Sequence, residues 1–372
     1  MSRRWEIFCT VVDNYGDIGV CWRLARQLVA EHGLMVRLWV DDLRALAQLW
    51  PTTDASAGRQ LLAGVEVCHW REPFADPQPC EADVVVEAFA CELPAVRLQA
   101  MARQSRPPLW INLEYLSAES WVAGCHGLPS QHPRLPLTKH FFFPGFDAAS
   151  GGLLRERDLL DRRHALQNDA AAQAQFLDRL GLGDALAARR LSLFAYENDA
   201  VAPLLERLAA GDEPWWVLVP AGRVVPDVER WLGEALIGPR RRGTVTVAPL
   251  PFLPQDDYDR LLWSCDLNAV RGEDSLVRAL WAGRPLLWQI YPQADDAHCD
   301  KLDAFGRRYL PALPEWQALL RAWNGIEPFA PAWQWAWPRR QAVAVRTQAW
   351  ADELAAQPDL ATALVRFCAN RV

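Results

Sequence analysis

Val11-Val12-Asp13-Asn14-Tyr15-Gly16-Asp17-Ile18-Gly19-Val20-Cys21-Trp22-Arg23 is the stretch on which the reading of this chain turns. An apolar run, Ile7 to Val12, ends in a short polar turn that carries two carboxylates and two glycines. Val20, Leu24 and Leu28 then recur on one face of a helix. Strand, tight glycine turn and helix is how an α/β protein builds a site at the carboxyl edge of a sheet. Asp13 and Asp17 sit where a buried strand delivers them to such an edge. A plainer reading has Asp13 capping the turn and Asp17 capping the helix, since aspartate favours both places.

Working outward, the first half alternates strands and helices. Ile7–Val12, Val36–Val40, Val65–Cys68, Val84–Ala88 and Leu109–Leu113 are short and almost continuously apolar, as strands covered on both faces must be. Val20–Glu31 is a helix that Gly33 ends, and Asp42–Leu49 is another that Pro51 stops. This order predicts parallel βαβ units in a doubly wound sheet. The fifth strand runs into Asn112-Leu113-Glu114-Tyr115-Leu116-Ser117, a second polar group at a strand end. The loop from Gly124 to Pro144 holds Cys125, His126, His132 and His140, in spacings that match no familiar metal-ligand pattern. Lys139 to Phe146 is rich in aromatics for a loop, as core near a domain boundary or as a surface that meets a partner protein.

From residue 151 to 190 the composition shifts to Ala, Leu, Arg, Asp and Gln, which reads as a helical linker region. A second alternating series then starts. Its strands are Leu191–Tyr196, Trp215–Pro220, Thr244–Pro249, Leu267–Val270 and Pro285–Ile290. Its helices are Val201–Ala210, Val225–Leu236, Tyr258–Cys265 and Ser275–Ala282. The expected organisation is a first domain over 1–150, the linker over 151–190, a second domain over 191–338 and helices over 339–372 that cross back to the first domain. Two such halves predict a cleft between doubly wound domains.

The second informative stretch is Val270-Arg271-Gly272-Glu273-Asp274-Ser275. A strand ends, an Arg-Gly turn follows, and Ser275 is placed to cap a helix. Free N–H groups at a helix N-terminus hold a diphosphate, and Arg271 adds charge-assisted bonds. Glu273 and Asp274 suit sugar hydroxyls, which need acceptors; alternatively they only complement the helix dipole. Upstream, Phe252 is placed to stack on a base, and Gln255 to read its edge or the phosphates. Tyr196 and Tyr291 end strands that reach the same edge. Asp257-x-Asp259 has the form of a metal pair, but its position reads as the start of a helix, where acids are common.

Composition narrows the class. The chain has 372 residues, enough for two domains, with 51% hydrophobic and 23% charged residues. A net charge of −7 gives no general affinity for nucleic acid. Lys139 and Lys301 are the only lysines; arginine supplies the remaining positive charge. Nine cysteines without a C-x-x-C pair read as free thiols. No apolar stretch is long enough to span a bilayer, and Met1 to Trp5 lead into a strand, not a signal h-region. A cytoplasmic placement is expected. There is no Walker loop and no G-x-G-x-x-G, which argues against ATP and NAD.

Asp13 to Arg26, Trp39 to Leu43, Asn112 to Ser117 and Arg271 to Ser275 together resemble the bacterial protein-arginine rhamnosyltransferases that modify elongation factor P, the EarP family. The resemblance implies a GT-B glycosyltransferase fold, with two doubly wound Rossmann-like domains. It implies dTDP-β-L-rhamnose as donor, an arginine of elongation factor P as acceptor, inversion at the anomeric carbon, and no cofactor or metal. Carried over position by position, Asp13, Asp17 and Glu273 fall at the family's essential acids. Asn14, Tyr15, Gly16, Asp17, Phe252, Gln255, Arg271, Gly272, Glu273, Asp274, Ser275 and Tyr291 fall at its donor-binding positions, with Tyr196 added to them.

A guanidinium has a pKa above ~12 and is a poor nucleophile until a proton is removed. Carboxylates grip it in a planar, two-bonded way. On this chemistry Asp17 takes the proton, Asp13 orients the acceptor, and Glu273 holds sugar hydroxyls. The rivals are a GT-B enzyme with a glycan or lipid acceptor, a sugar-nucleotide epimerase, and a non-catalytic protein that binds elongation factor P. In the last case the acids would be caps, worth about 1 kcal/mol each.

Overall fold

The structure, a computed structural model, describes residues 3–12, 15–71, 74, 80–293 and 296–371. The chain divides into two compact units, Met1–Arg157 with Leu354–Val372, and Asp158–Glu353.

The first unit runs β1 (Arg4–Cys9), α1 (Gly16–His32), β2 (Met35–Val40), α2 (Leu43–Leu49), β3 (Arg59–Leu62), β4 (Val65–His69), β5 (Val84–Ala88), α3 (Ala95–Ala102), β6 (Leu109–Leu113), α4 (Val122–Cys125), β7 (Pro129–Gln131) and β8 (Thr138–Phe142). Among the described residues these strands form one sheet in the order β3-β4-β2-β1-β5-β6-β8-β7. The strands from β4 across to β8 are all parallel, and antiparallel β3 and β7 close the two edges. The chain winds outward from β1 through β2 to β4, then returns to β5 and winds the other way through β6 to β8. The order therefore reverses between β1 and β5. In such sheets the crevice for a ligand opens at the carboxyl ends of the strands where that reversal occurs.

The first strand leaves the sheet earlier than its apolar run suggests. It ends at Cys9, and Val11 N–H donates instead to Asp41 Oδ1 at 2.9 Å, at the end of β2. Asp42 starts α2 as expected, its carboxylate accepting from Arg44 and Ala45 N–H. The aromatic segment after Lys139 is not a loop but β8, paired in parallel with β6. Lys139 lies over the Trp110 ring and 3.4 Å from buried Glu87, while Phe142 packs on Phe367 from the far end of the chain.

The second unit runs α5 (Leu159–Gln167), α6 (Ala170–Arg179), β9 (Arg189–Leu193), α7 (Val201–Ala209), β10 (Trp215–Pro220), α8 (Val225–Leu232), β11 (Arg240–Arg242), β12 (Val245–Leu250), α9 (Gln255–Ser264), β13 (Leu267–Arg271), α10 (Asp274–Ala282), β14 (Leu286–Gln289), α11 (Ala297–Tyr309), α12 (Pro314–Trp323) and α13 (Phe329–Ala336). Its strands follow the order β11-β12-β10-β9-β13-β14, parallel throughout except for the β11 edge. Here the winding reverses between β9 and β13.

Residues 151–190, expected as a linker, contribute α5 and α6 to the body of this unit. Fully buried Arg163 donates to the Trp281 carbonyl at 2.9 Å, and Gln167 to that of Ala282 at 2.9 Å. Phe176 and Leu177 of α6 join a core with Leu218, Ala248, Leu250 and Leu261. The alanine-rich composition thus marks packed helices rather than a tether. After α14 (Arg340–Ala355) the chain re-enters the first unit as α15 (Leu360–Ala369). Gln27 of α1 donates to Asp359 Oδ1 at 3.0 Å, and Leu360 N–H to the Leu153 carbonyl at 2.9 Å. Among the described residues no helix is long and apolar enough to cross a membrane.

Candidate active site

In the first unit, the polar turn after β1 stands at the reversal point. Asp13 and Asn14 lie outside the described residues. Asp17 does not cap α1: it sits inside the first turn and is 2% exposed. Val12 N–H donates to its Oδ2 at 2.8 Å, and the Tyr115 hydroxyl donates to its Oδ1 at 3.2 Å. A buried carboxylate needs such donors to remain charged. Tyr15 and Gly16 open the helix, with Gly19 N–H donating to the Tyr15 carbonyl at 2.8 Å. Cys9 lies beneath, its thiol held far above the usual thiol range by the hydrogen bond with Cys21 and by burial. That keeps it an uncharged packing group beside Asp17.

In the second unit, the Arg271–Ser275 turn also stands at a reversal point. The end of β13 sets Arg271, 6% exposed, with its guanidinium 4.5 Å from the Phe194 ring centroid and 4.6 Å from that of Tyr196. Two aromatic faces against the guanidinium fix its position at the strand end. Gly272 has φ +62°, a conformation that suits glycine. Its carbonyl accepts from Trp288 Nε1 at 2.8 Å, and its N–H donates to the Gln289 carbonyl at 3.2 Å. The expected serine cap is not formed. Glu273 is the N-cap residue, and the Ser275 hydroxyl turns back to donate to the Arg271 carbonyl while accepting from Arg271 N–H. Ser275 therefore locks the turn that aims Arg271.

The remaining assigned residues collect at the same strand ends. Tyr196 N–H donates to Gln289 Oε1 at 2.8 Å, and its ring meets that of Tyr291 edge-on at 5.6 Å. Tyr291 is 42% exposed, a large aromatic face left toward solvent. Phe252 is half-buried, and buried Gln255 is the first residue of α9. Asp274 opens α10.

The acids and histidines that the sequence offered as ligands have protein partners. Asp257 pairs with Arg179 and Arg260, and Asp259 is gripped by Arg278. In the first unit, His126 Nδ1 accepts from Phe143 N–H, and His132 Nδ1 from Arg134 and Leu135 N–H. Asp296, His298 and Cys299 bring ligand atoms within 4.8 Å of one another. Gln293 N–H donates to His298 Nδ1, which leaves the neutral ring's proton on Nε2, the atom facing Cys299 Sγ at 3.7 Å. That nitrogen is a donor, and burial raises the thiol above its usual range.

Comparison with known proteins shows the family. The family model for "Elongation-Factor P (EF-P) rhamnosyltransferase EarP" matches residues 5–369. The protein-arginine rhamnosyltransferase of Pseudomonas putida KT2440 is 54% identical, with all of both chains covered. That of Pseudomonas aeruginosa PAO1 is 52% identical, covering 98% of this chain and 99% of the relative. The chain belongs to the EarP family. A solved structure described as the structural basis for EarP-mediated arginine glycosylation of translation elongation factor EF-P aligns over 99% of both chains, at 41% identity and a TM-score of 0.69. A glycosyltransferase of Rickettsia africae, 8% identical, aligns over 98% of this chain and 96% of its own with a TM-score of 0.52, a likeness of fold alone. The fold is the GT-B glycosyltransferase plan of two doubly wound α/β units.

Within the EarP frame one partner escaped the sequence reading. Lys301 Nζ lies 2.9 Å from Glu273 Oε1, the two side chains 14% and 18% exposed. Lys301 is one of two lysines in the chain, and its ammonium is a point charge that a guanidinium fork does not match. Lys301→Met removes that charge from beside Glu273. We expect turnover to fall by about tenfold, the scale of one partly exposed charge-assisted bond. Steady-state kinetics with each substrate varied in turn will check this, with Lys301→Arg recovering only part of the loss.

Proposed function

We propose that this chain transfers L-rhamnose from dTDP-β-L-rhamnose to an arginine side chain of translation elongation factor P, with inversion at the anomeric carbon. The observation that carries the proposal is Asp17: a buried carboxylate, held at both oxygens, at the reversal point of a doubly wound sheet in a chain of the EarP family. A guanidinium gives up a proton only to a base that is held in place, and Asp17 is held by hydrogen bonds at both oxygens.

In the proposed step, an acceptor Nη attacks C1 of rhamnose. The N–C bond forms as the bond from C1 to the diphosphate oxygen breaks. The Nη proton passes to Asp17, and dTDP leaves with the bonding pair. Asp13 grips the rest of the guanidinium and turns its nitrogen lone pair out of conjugation. The leaving diphosphate takes the N–H groups at the start of α10, and Arg271 offsets its growing charge, a part that metals play in other glycosyltransferases. Glu273, paired with Lys301, accepts from sugar hydroxyls, and Asp274 adds a second acceptor. Phe252, Tyr196 and Tyr291 offer ring faces to the nucleotide, and Gln255 reads its polar edge. Asn14, Tyr15 and Gly16 are assigned to the donor as well. A translation factor as acceptor fits a cytoplasmic enzyme.

The test is the intact mass of elongation factor P after incubation with the chain and dTDP-rhamnose. One added deoxyhexose, lost when the acceptor arginine is replaced by lysine, is the expected result. An unchanged mass, with donor consumed or epimerised, would move the chain to another reaction.

A further inference from the structure

The proposed reaction gives no role to the polar stretch Asn112 to Ser117, directly after β6. Within it Tyr115 does two things. Its hydroxyl donates to Asp17 Oδ1 at 3.2 Å, and its ring stacks on Phe89 with centroids 4.5 Å apart and planes 16° from parallel. Phe89 is the first residue past β5, the strand on the other side of the reversal point from β1. It belongs to a strained loop. Phe89, Ala90 and Glu92 have φ of +55°, +53° and +51°, although none is glycine. Such conformations persist only where the surroundings fix them, and they gather at functional sites. Here the fixing contacts are visible. Phe89 N–H donates to the Leu113 carbonyl at 2.7 Å, Cys91 N–H to that of Ala88 at 3.2 Å, and the Cys91 thiol to that of Phe8 at 3.3 Å. The loop is tied to three neighbouring strands at their carboxyl ends.

We infer that Tyr115, clamped by the Phe89 loop, is a positioning residue for Asp17. A carboxylate at the head of a helix turns freely about its own bonds. Val12 N–H holds Oδ2. A second donor on Oδ1, from a different element, fixes the plane of the group. The backbone donor comes with the fold; the phenol is a choice of side chain, and it works only if the ring cannot swing. The Phe89 stack prevents the swing, which gives the strained loop a purpose. The fixed plane decides which lone pair of Asp17 meets the departing proton, and misplacing a general base by a fraction of an ångström is felt in turnover rather than in binding.

This inference rests on Asp17 being the base, so Asp17→Asn is assayed beside it. Tyr115→Phe keeps the ring stack and deletes only the hydroxyl. It is expected to lower kcat by about tenfold or more, with KM for donor and for elongation factor P within about twofold of the parent. The acid limb of its kcat/KM profile should move to higher pH, because a donor that favoured the charged carboxylate has gone. A residue that only packs the fold would lower the melting temperature without moving that limb. Should Tyr115→Phe not fold, Phe89→Leu, which keeps the hydroxyl and removes the stack, reads the same limb with a smaller shift. Wild-type kcat and an unmoved acid limb in Tyr115→Phe, with Asp17→Asn inactive, would overturn the positioning role and leave the proposed function standing. An active Asp17→Asn would overturn the positioning role together with Asp17 as the base, while the transfer itself is decided by the mass of elongation factor P.

Discussion

Asp17→Asn is expected to reduce turnover by about two to four orders of magnitude, the range that a general base contributes. Donor affinity, read by equilibrium titration with dTDP, should stay within about threefold, since the diphosphate is assigned to Arg271 and the start of α10. The replacement is close to isosteric, yet not innocent. Asparagine offers one carbonyl oxygen where the carboxylate offers two, and both oxygens of Asp17 now accept hydrogen bonds, from Val12 N–H and Tyr115 O–H. Its oxygen can keep the Val12 N–H bond while its NH2 donates to the Tyr115 hydroxyl, which then turns to accept, so the stability cost is that of losing two charge-assisted bonds, about 1–2 kcal/mol. A melting curve separates the two effects: a modest fall in Tm with intact dTDP binding leaves the lost turnover to chemistry. Retention of more than about a tenth of wild-type turnover would remove Asp17 as the base. The same assay on Asp13→Asn tells whether the second acid of the turn shares in the proton transfer.

How far the sequence announced this arrangement differs from place to place, for physical reasons. Val84–Ala88, Leu109–Leu113 and Trp215–Pro220 are read to the residue, because parallel strands covered on both faces are continuous apolar runs. The same rule fails at β8. Its Lys139 reaches Glu87 and the Trp110 ring, while His140 and Phe142 lie against Phe367 of α15, so each face is served by a partner distant in sequence. Charged and aromatic residues in alternation then look like a loop. Edge strand β11 is three arginines, a pattern that protects an open edge and carries no apolar signal. At the sites, residue types and glycine turns mark Asp17 and the Arg271–Ser275 turn from the local pattern alone. What they bond to does not follow from that pattern. Tyr115 is 98 residues from Asp17, and Lys301 is 28 from Glu273. Ser275 shows the limit at short range: a serine at a helix start reads as a cap, but its hydroxyl serves the strand before it.

The largest expected loss of stability lies behind the second site. Arg278 of α10 and Asp259 of α9 form a two-pronged pair, Nε to Oδ1 at 2.9 Å and Nη2 to Oδ2 at 2.6 Å, with both side chains 1% exposed. In water such a pair is nearly neutral in energy; buried, each charge depends on the other. Asp259→Ala strands a guanidinium inside the second unit and is expected to cost about 3–5 kcal/mol. For a unit of this size that lowers Tm by roughly ten degrees, measurable by calorimetry or circular dichroism. Removing both charges together, as Asp259→Leu with Arg278→Met, should recover most of the loss, since the cost lies in the unpaired charge and not in the absence of the bridge. The pair also bears on the proposed donor site. It ties together two helices whose first turns carry Gln255 on one side and Asp274 and Ser275 on the other. The double replacement, though stable, should therefore raise KM for the donor more than it lowers kcat, because the helix starts assigned above to the nucleotide and its diphosphate are no longer held in register. A double variant as unstable as Asp259→Ala would show that shape, not charge pairing, is what this contact supplies.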